Sequence, residues 1–269
     1  MSRLAACFQA LQGQGRKALI PYLTAGDPDP AFTVPTLHAL VAAGADALEL
    51  GVPFSDPMAD GPVIQRASER ALAAGVHLDD VLAMVAEFRR ADAATPIVLM
   101  GYMNPIEARG YEAFASAAAE AGVDGVITVD LPPEEAADLA RAYRGAGLDP
   151  VFLVAPTSSD ERMALIAEQA AGFVYYVSLK GVTGSDRLDA EAVGARVEAV
   201  RRHTGLPIGV GFGISDPEAA ARVSRVSDAV VVGSAIVRQI EDHPGDPEAA
   251  REAMAALVAG MRRAMDAAA

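Results

Sequence analysis

Short apolar runs alternate along the chain with segments in which apolar residues recur at helical spacing. Each run is about as long as a strand and is followed by Gly, Pro or Asp. A strand that is buried on both faces needs such continuous hydrophobicity, and helices between successive strands imply parallel pairing with right-handed crossovers. Eight runs fit this description: Ala18–Thr24, Ala47–Val52, Pro96–Met103, Gly125–Val129, Pro150–Ala155, Phe173–Leu179, Pro207–Gly211 and Ala229–Gly233.

The segments between the runs carry helix start and stop signals. Asp216-Pro217 and Asp246-Pro247 place an N-cap before a proline at the first helical position, and Gly44, Gly122 and Gly147 follow a last apolar turn. We predict helices over Pro30–Ala43, Leu78–Arg90, Glu107–Ala121, Pro133–Ala146, Ser159–Ala171, Ala190–Arg202, Asp216–Ser224 and Pro247–Met265, and an extra amphipathic helix over residues 2–12.

Eight strand-helix units without a linker or a low-complexity stretch favour one closed barrel. We therefore predict a single α/β domain over residues 1–269, a (β/α)8 TIM barrel with the extra N-terminal helix across its bottom. A doubly wound open sheet is the alternative, and it would require the strands to stop at five or six.

Composition excludes several classes of function. The chain has 22 Lys plus Arg against 36 Asp plus Glu, a formal net charge of −14, which disfavours binding to nucleic acid or to anionic lipid surfaces. A local basic pocket remains compatible with this charge. Cys7 is the single cysteine, no secretory signal pattern precedes it, and the apolar runs are far shorter than a membrane span, so we expect a cytoplasmic protein.

The second predicted strand and the loop after it hold the richest candidate chemistry. Glu49 interrupts an otherwise apolar strand, where a carboxylate facing the strand-helix layer would be costly, so we expect it to point into the barrel mouth. Partial burial would raise its pKa toward neutrality and let one group donate and accept a proton. A structural pair with a buried Arg or Lys is the alternative. Asp56 and Asp60 lie on a stiff loop rich in Pro and Gly, and either could serve the chemistry or be a solvated turn residue.

Glycines at the ends of the seventh and eighth predicted strands indicate an anion site. The segments are Gly209-Val210-Gly211-Phe212-Gly213 and Val232-Gly233-Ser234-Ala235. Backbone N–H groups approach an anion closely where no Cβ intervenes, and a short helix starting after Gly233 would present its positive end. These strand ends form the usual phosphate site of a barrel. Neither a dinucleotide fingerprint nor a P-loop is complete, so nucleotide cofactors are disfavoured.

Other chemistries have weaker signals. Lys180 lies in a Gly-rich loop long enough to act as a lid, residues 179–188, and it could instead be the Schiff-base nucleophile of an aldolase. The four histidines lack the spacing of a metal site, so we predict no metal.

Taken together, the motifs resemble the tryptophan synthase alpha chain family over nearly the whole chain. The matching segments occur in the order of the family: Pro21-Tyr22-Leu23-Thr24-Ala25-Gly26-Asp27-Pro28, Leu48-Glu49-Leu50-Gly51-Val52-Pro53-Phe54-Ser55-Asp56-Pro57 with Ala59-Asp60-Gly61-Pro62, Gly101-Tyr102-Met103-Asn104-Pro105, Gly181-Val182-Thr183-Gly184, Gly211-Phe212-Gly213-Ile214-Ser215 and Val232-Gly233-Ser234-Ala235.

The resemblance implies a lyase that cleaves indole-3-glycerol phosphate to indole and glyceraldehyde 3-phosphate in tryptophan biosynthesis. By this resemblance Glu49 moves protons at the breaking bond and Asp60 accepts from the indole N–H. The implied phosphate residues are Gly184, Phe212, Gly213, Gly233 and Ser234; Thr183 would meet Asp60 from the lid, Tyr175 would lie near Glu49, and Tyr22, Met100, Ile127, Val129 and Leu153 would wall the indole pocket.

The family also implies a partner, a β chain that holds pyridoxal phosphate, while this chain itself needs no cofactor. The expected assembly is an α2β2 heterotetramer with allosteric coupling, and Asp56, Asn104 and Pro105 are the implied interface residues. Two departures from the family pattern affect the site: position 22, often Phe, is Tyr, and Leu179-Lys180 replaces a common Arg-Ala. The Tyr22 hydroxyl must therefore find a partner in the pocket.

Two further hypotheses remain open at this point. A Schiff-base aldolase acting on another phosphorylated aldol would depend on Lys180 and would be trapped by borohydride. A non-catalytic subunit that only activates a partner would tolerate Glu49→Gln and Asp60→Asn.

Overall fold

Eight parallel strands close into a barrel in the computed structural model, which describes residues 2–178, 190–211 and 213–268. Each strand pairs with its two sequence neighbours, and β8 pairs with β1 to complete the ring. The strands are β1 (Ala18–Thr24), β2 (Leu48–Gly51), β3 (Ile97–Gly101), β4 (Gly125–Thr128), β5 (Asp149–Val154), β6 (Val174–Val177), β7 (Ile208–Gly211) and β8 (Ala229–Val232). The predicted (β/α)8 barrel is thus confirmed, with one strand in the place of each predicted run; β5 begins one residue before its run, at Asp149.

Helices cover the outside of the barrel and one of its ends. Within the described residues they are α1 (Arg3–Gly13), α2 (Pro30–Ala42), α3 (Pro62–Ala73), α4 (Leu78–Arg89), α5 (Met103–Arg109), α6 (Tyr111–Ala121), α7 (Ala137–Gly145), α8 (Asp160–Gln169), α9 (Ala190–Arg201), α10 (Pro217–Ser224), α11 (Ser234–Asp242) and α12 (Pro247–Asp266). Asp216 and Asp246 accept hydrogen bonds from the first turns of α10 and α12, as the sequence predicts.

Two helices differ from the predicted pattern. Helix α3 is not among the predicted elements, because Gly61 and Pro62, its N-cap and first residue, are interpreted in the sequence as part of the preceding loop. The single helix predicted over residues 107–121 is two helices, α5 and α6, separated at Gly110. The φ of Gly110 is +90°, a conformation that glycine adopts without the steric cost of a side chain.

The extra N-terminal helix α1 plugs the amino end of the barrel, as predicted. Leu4, Phe8 and Leu11 are buried and join the apolar cluster inside the barrel, which contains Ile20, Val98, Ile127, Val151, Phe173 and Val231 among others. The rings of Phe8 and Phe173 lie 5.8 Å apart between centroids. A larger, separate cluster fills the layer between the strands and the outer helices. The interior is therefore packed at the amino end of the barrel.

Three aspartates repeat one arrangement at the amino end, and we call each an aspartate lock. Asp124 and Asp228 are the residues directly before β4 and β8, and Asp46 lies two residues before the start of β2. Each backbone N–H donates to the carbonyl oxygen of a residue on the preceding strand at 2.9 Å, and the carboxylate accepts from the N–H of that same residue. Each carboxylate also pairs with an arginine on an outer helix, Arg262, Arg89 and Arg201 respectively.

The aspartate locks join β1 to β2, β3 to β4 and β7 to β8, and the remaining pair in this alternation, β5–β6, has none among the described residues. Pro150 occupies β5 where the other pairs have Leu19, Ile97 or Ile208, and it carries no N–H that a carboxylate could accept. Its carbonyl oxygen still accepts from the N–H of Ala171 at 2.8 Å. The absence of an aspartate here follows from the absence of the donor that the carboxylate satisfies elsewhere.

No helix among the described residues is both long enough and apolar enough to cross a bilayer.

Candidate active site

The carboxyl ends of the strands surround a cavity of about 600 Å³, which we call the mouth cavity. Glu49 and Asp60 line one part of it, and glycines at the ends of β7 and β8 line another. The complete set of lining residues is Tyr22, Glu49, Asp60, Gly61, Pro62, Val63, Ile64, Met100, Tyr175, Gly213, Ile214, Ser215, Val231, Gly233, Ser234, Ala235, Arg238 and Gln239. Carboxyl groups and an anion-binding type of loop therefore share one space.

Glu49 is held inside the barrel mouth by β2. Its Cα lies opposite Tyr22 of β1 and Val98 of β3, and the residue is 2% exposed. Its Oε2 atom is buried without a hydrogen-bond partner, and no described Arg or Lys pairs with it, in contrast to the structural ion pair considered above. Burial, and secondarily the charge of Asp60, raises the pKa of Glu49 from 4.5 to about 8. The group therefore holds a proton at neutral pH and can donate it.

Asp60 approaches Glu49 from the loop between β2 and α3. The hydroxyl of Tyr102 donates to Asp60 Oδ2 at 2.9 Å, and the backbone N–H of Ala59 donates to the same hydroxyl at 3.0 Å. Gln65 holds the end of the loop by donating to the carbonyl oxygen of Asp60 at 2.9 Å. Burial raises the pKa of Asp60, and the hydrogen bond from Tyr102 opposes that rise. The two carboxyl groups consequently differ in their surroundings.

Two tyrosines complete the floor of the mouth cavity. The hydroxyl of Tyr22 finds its partner in Thr24, with 3.1 Å between Oη and Oγ1. Tyr22 and Tyr175 stand over Gly51 and Gly211, where an added Cβ would overlap their hydroxyls. Burial raises the pKa of both phenols well above the ordinary range, and the charge of Glu49 raises that of Tyr175 further. Both tyrosines therefore stay neutral and supply a largely apolar wall with hydroxyl groups.

The glycine side of the mouth cavity includes the start of a helix. Gly233 precedes α11, which begins at Ser234, as the sequence predicts. Gly213 follows β7 with a φ of +75°, a conformation that other residues rarely adopt. Because Gly233, Ser234 and Ala235 line the cavity, the amino end of α11, with its unpaired N–H groups and the positive end of its dipole, lies at the cavity wall. Such a place attracts an anion.

Arg238 and Gln239 are lining residues that the sequence analysis does not identify. Arg238 is exposed, and no hydrogen bond or ion pair joins it to another described residue. On the same helix Glu241 is paired with Arg66 and Arg70 of α3. Arg238 lies four residues after Ser234, so a helix beginning after Gly233 necessarily brings both onto one face. This spacing is the signal that could have indicated it.

Of the other predicted site residues, some line the mouth cavity, some are buried below it and some lie outside the described residues. Met100 lines the mouth cavity, whereas Ile127 is fully buried in the interior cluster and does not line it. Val129 and Leu153 are partly buried against that cluster. Asp56 follows β2, and Asn104 and Pro105 follow β3; none of them lines the mouth cavity, and Asp56 and Asn104 are exposed. We call these segments the outer side of the mouth. Thr183, Gly184, Phe212 and the Leu179-Lys180 departure lie outside the described residues.

The described ranges contain no group of three His, Cys, Asp or Glu side chains arranged to hold a metal ion.

Comparison with known proteins places the chain among relatives of known family. The family model described as tryptophan synthase alpha chain matches residues 8–266. The tryptophan synthase alpha chain of Thioalkalivibrio sulfidiphilus is 64% identical over 266 residues, covering 99% of this chain and 100% of that protein. That of Nitrosococcus oceani is 60% identical, with 99% of this chain and 98% of that protein covered.

Solved structures agree with the sequence comparisons. Tryptophan synthase subunit alpha from Legionella pneumophila superposes with a TM-score of 0.92 at 48% identity, and 99% of each chain is covered. A chain of tryptophan synthase from M. tuberculosis in its aminoacrylate-bound form superposes with a TM-score of 0.86 at 39% identity, covering 97% of this chain and 100% of that one. On the family model, the relatives and the barrel together, this chain belongs to the tryptophan synthase alpha chain family.

Proposed function

We propose that this chain cleaves indole-3-glycerol phosphate into indole and glyceraldehyde 3-phosphate in the mouth cavity, with Glu49 and Asp60 as its catalytic residues. The sequence motifs imply this reaction, and family membership supports it. The observation that carries the proposal is the pair of carboxyl groups in one cavity, one of them buried with an unpaired oxygen. The proposal treats residues 1–269 as one catalytic barrel domain.

Glu49 would move the proton that makes the carbon–carbon bond breakable. Its carboxylic acid donates a proton to the indole ring carbon that bears the side chain, which leaves the ring with an iminium charge. The resulting carboxylate then removes the proton of the adjacent side-chain hydroxyl. As the aldehyde forms, the bond electrons return to the ring and indole leaves. Glu49 ends in the protonated form in which it began, which agrees with its pKa of about 8.

Asp60 would stabilise the charge that develops on the ring nitrogen. An ionised carboxylate that accepts the indole N–H lowers the energy of the protonated ring more than that of the neutral substrate, and this difference is what accelerates a step. Met100 and Tyr22 line the same cavity and would contact the flat faces of the ring. Tyr175 would lie beside Glu49.

The phosphate group would bind at the glycine side of the mouth cavity. Gly213, Gly233 and Ser234 supply backbone N–H groups and the start of α11, and we add Arg238 as the cationic side chain of this site. The expected contributions of Thr183, Gly184 and Phe212 fall outside the described residues. A cation here matters because the molecule carries a formal net charge of −14 and the substrate is an anion.

Indole release from indole-3-glycerol phosphate tests the proposal. We expect Glu49→Gln and Asp60→Asn each to lower kcat by about 10²–10⁴, the range in which a positioned acid or base contributes. Asp130→Asn is the matched control, because Asp130 is an exposed carboxylate that does not line the cavity, and asparagine can still accept the hydrogen bond that the backbone N–H of Met103 donates to Asp130 Oδ1. Each variant is measured with and without a β chain, and its melting temperature shows that it is folded.

Full indole release by folded Glu49→Gln would contradict the proposed mechanism. No release by the wild-type protein, with or without the β chain, would contradict the proposed reaction. Covalent trapping by borohydride in the presence of a phosphorylated aldol would then indicate the Schiff-base aldolase.

We also propose that the outer side of the mouth binds a tryptophan synthase β chain in an α2β2 assembly with coupled sites. Asp56, Asn104 and Pro105 are the expected contacts. Among the described residues Met58, on the same loop as Asp56, is a large apolar side chain left 80% exposed. A single exposed apolar side chain does not by itself indicate a partner surface, so Met58 serves here as the position at which the proposed contact is tested. Sedimentation of a mixture with the β chain should show a complex that Met58→Asp weakens.

Pyridoxal phosphate would belong to the β chain, and this chain would need no cofactor. The proposed steps move protons between the substrate and carboxyl groups, and no electron acceptor enters them. We propose a cytoplasmic location, with which the free thiol of Cys7 is compatible.

A further inference from the structure

Residues 52–61 form the loop that carries Asp60. Tyr102, which directly follows β3, contacts this loop near both of its ends. Its side chain is 3% exposed and does not line the mouth cavity. Its ring stacks on that of Phe54, with centroids 4.9 Å apart and an angle of 24° between the planes. Its hydroxyl bonds to Ala59 and Asp60 at the other end of the loop. A single side chain thus spans the loop.

The direction of these hydrogen bonds follows from the groups themselves. A phenol has one hydrogen and can also accept, whereas the backbone N–H of Ala59 can only donate. Because Ala59 donates to the hydroxyl, the phenol hydrogen is available for Asp60 Oδ2. Oδ1 of Asp60 is left without a hydrogen bond to any described residue, and Asp60 lines the cavity. The arrangement leaves one carboxylate oxygen for a ligand.

Without the hydrogen bond from Tyr102, little would determine whether Glu49 or Asp60 is the ionised carboxyl group. Glu49 is buried and Asp60 partly buried, and the two line one cavity together with the neutral phenols of Tyr22 and Tyr175. Only Asp60 receives a hydrogen bond from a described donor, and hydrogen bonding to the charged form favours ionisation. Neighbouring carboxyl groups divide acid and anion roles when their environments differ in this way.

We propose that Tyr102 is a positioning residue for the reaction: its hydroxyl holds the Asp60 carboxylate toward the mouth cavity and keeps Asp60, instead of Glu49, ionised. Its ring fixes the loop from the other side through Phe54. The inference rests on the proposed function, because Tyr102 has this role only where Asp60 acts on the substrate.

Tyr102→Phe tests the inference, since it keeps the ring on Phe54 and removes only the hydroxyl. Hydrogen bonds to charged groups are worth about 1.5–3 kcal/mol, so we expect kcat to fall about 10-fold or more. The acidic limb of the pH profile should move up by about one unit, because Asp60 then ionises less readily. Tyr143→Phe is the matched control: Tyr143 is also buried and bonds Thr128 through its hydroxyl, 3.1 Å away and outside the cavity.

The double variant Tyr102→Phe with Asp60→Asn separates positioning from a general structural role. If Tyr102 acts through Asp60, adding Tyr102→Phe to Asp60→Asn lowers kcat no further. Equal losses in both backgrounds would overturn the inference, as would a Tyr102→Phe profile that matches Tyr143→Phe. These results are distinguishable from failure of the proposed function, which would show as absence of indole release by the wild-type protein.

Discussion

Burial of Glu49 keeps the proton that the reaction needs, and it also lowers the stability of the folded chain. The ordinary pKa of a glutamate is 4.5, and in the folded chain desolvation together with the charge of Asp60 raises it to about 8. Between pH 4.5 and about 8, the Glu49 carboxyl group is ionised in the unfolded chain but must stay protonated in the folded chain. The folded state therefore loses stability as pH rises through this window.

Activity should fall as pH rises through about 8, because Glu49 then no longer holds the proton that it donates. The check is the pH dependence of kcat/KM for indole release, which reports ionisations of the free enzyme. A basic limb that persists unchanged in the residual activity of Glu49→Gln would show that another group causes it.

Glu49→Gln should stabilise the fold while removing activity. A neutral amide has no charge to desolvate, so the free energy of unfolding should rise by about 1 kcal/mol or more at pH 8, or about 2–4 °C in Tm. The gain over wild type should grow from pH 5 to pH 8, following the linkage above. Scanning calorimetry across this range checks it, with Glu252→Gln, an exposed glutamate on α12, as control. A gain independent of pH would contradict the explanation.

Arg238 should contribute to substrate affinity through charge alone. Arg238→Gln should raise KM for indole-3-glycerol phosphate about tenfold and leave kcat nearly unchanged, because the charge acts on the phosphate equally before and during the reaction. Arg222→Gln, on α10 and outside the cavity, is the matched control. Steady-state kinetics at two salt concentrations compare the two variants, and the increase in KM caused by Arg238→Gln should become smaller at higher salt.

Individual elements differ in how well the sequence predicts them. The strands are recognisable because residues on both faces are buried, so a continuous run of mainly apolar residues indicates a strand. Helix α3 is not recognised because Gly61 and Pro62 at its start continue the Pro- and Gly-rich pattern of the loop before it. The approach of Tyr102 to Asp60 could not be predicted either, since it depends on the path of a loop between residues 42 apart.

The aspartate locks should contribute to stability according to their burial. Asp124→Ala should lower the free energy of unfolding by about 3–5 kcal/mol, because it leaves Arg89 and the Ile97 N–H without their buried acceptor. Asp228→Ala removes the same bonds in a more exposed place, where the Asp228 side chain is 24% and that of Arg201 38% exposed. For Asp228→Ala we expect the free energy of unfolding to fall by only about 1–2 kcal/mol. Urea unfolding measures both, and equal losses would contradict burial as the cause.

On the scale of the whole molecule, stability and chemistry occupy opposite ends of the barrel. Helix α1 and the aspartate locks lie at the amino end, while Glu49, Asp60 and the glycine site lie at the carboxyl end. Phe8→Ala should therefore lower the free energy of unfolding by about 3–5 kcal/mol without changing kcat/KM at 25 °C. Gln9→Ala, an exposed neighbour on α1, is the control. A changed KM in folded Phe8→Ala would show that the two ends are coupled.

The lock at Asp46 differs from the others in what it joins. Arg262 belongs to α12, the last helix, and it pairs with Asp46 and also donates to the carbonyl oxygen of Lys17 just before β1. The joint between the last and first units thus contains the same type of aspartate–arginine pair as the joints at Asp124 and Asp228, where the backbone is continuous. The barrel consequently has no distinct seam. A circular permutant opened in another outer loop should close its ring by the same side chains.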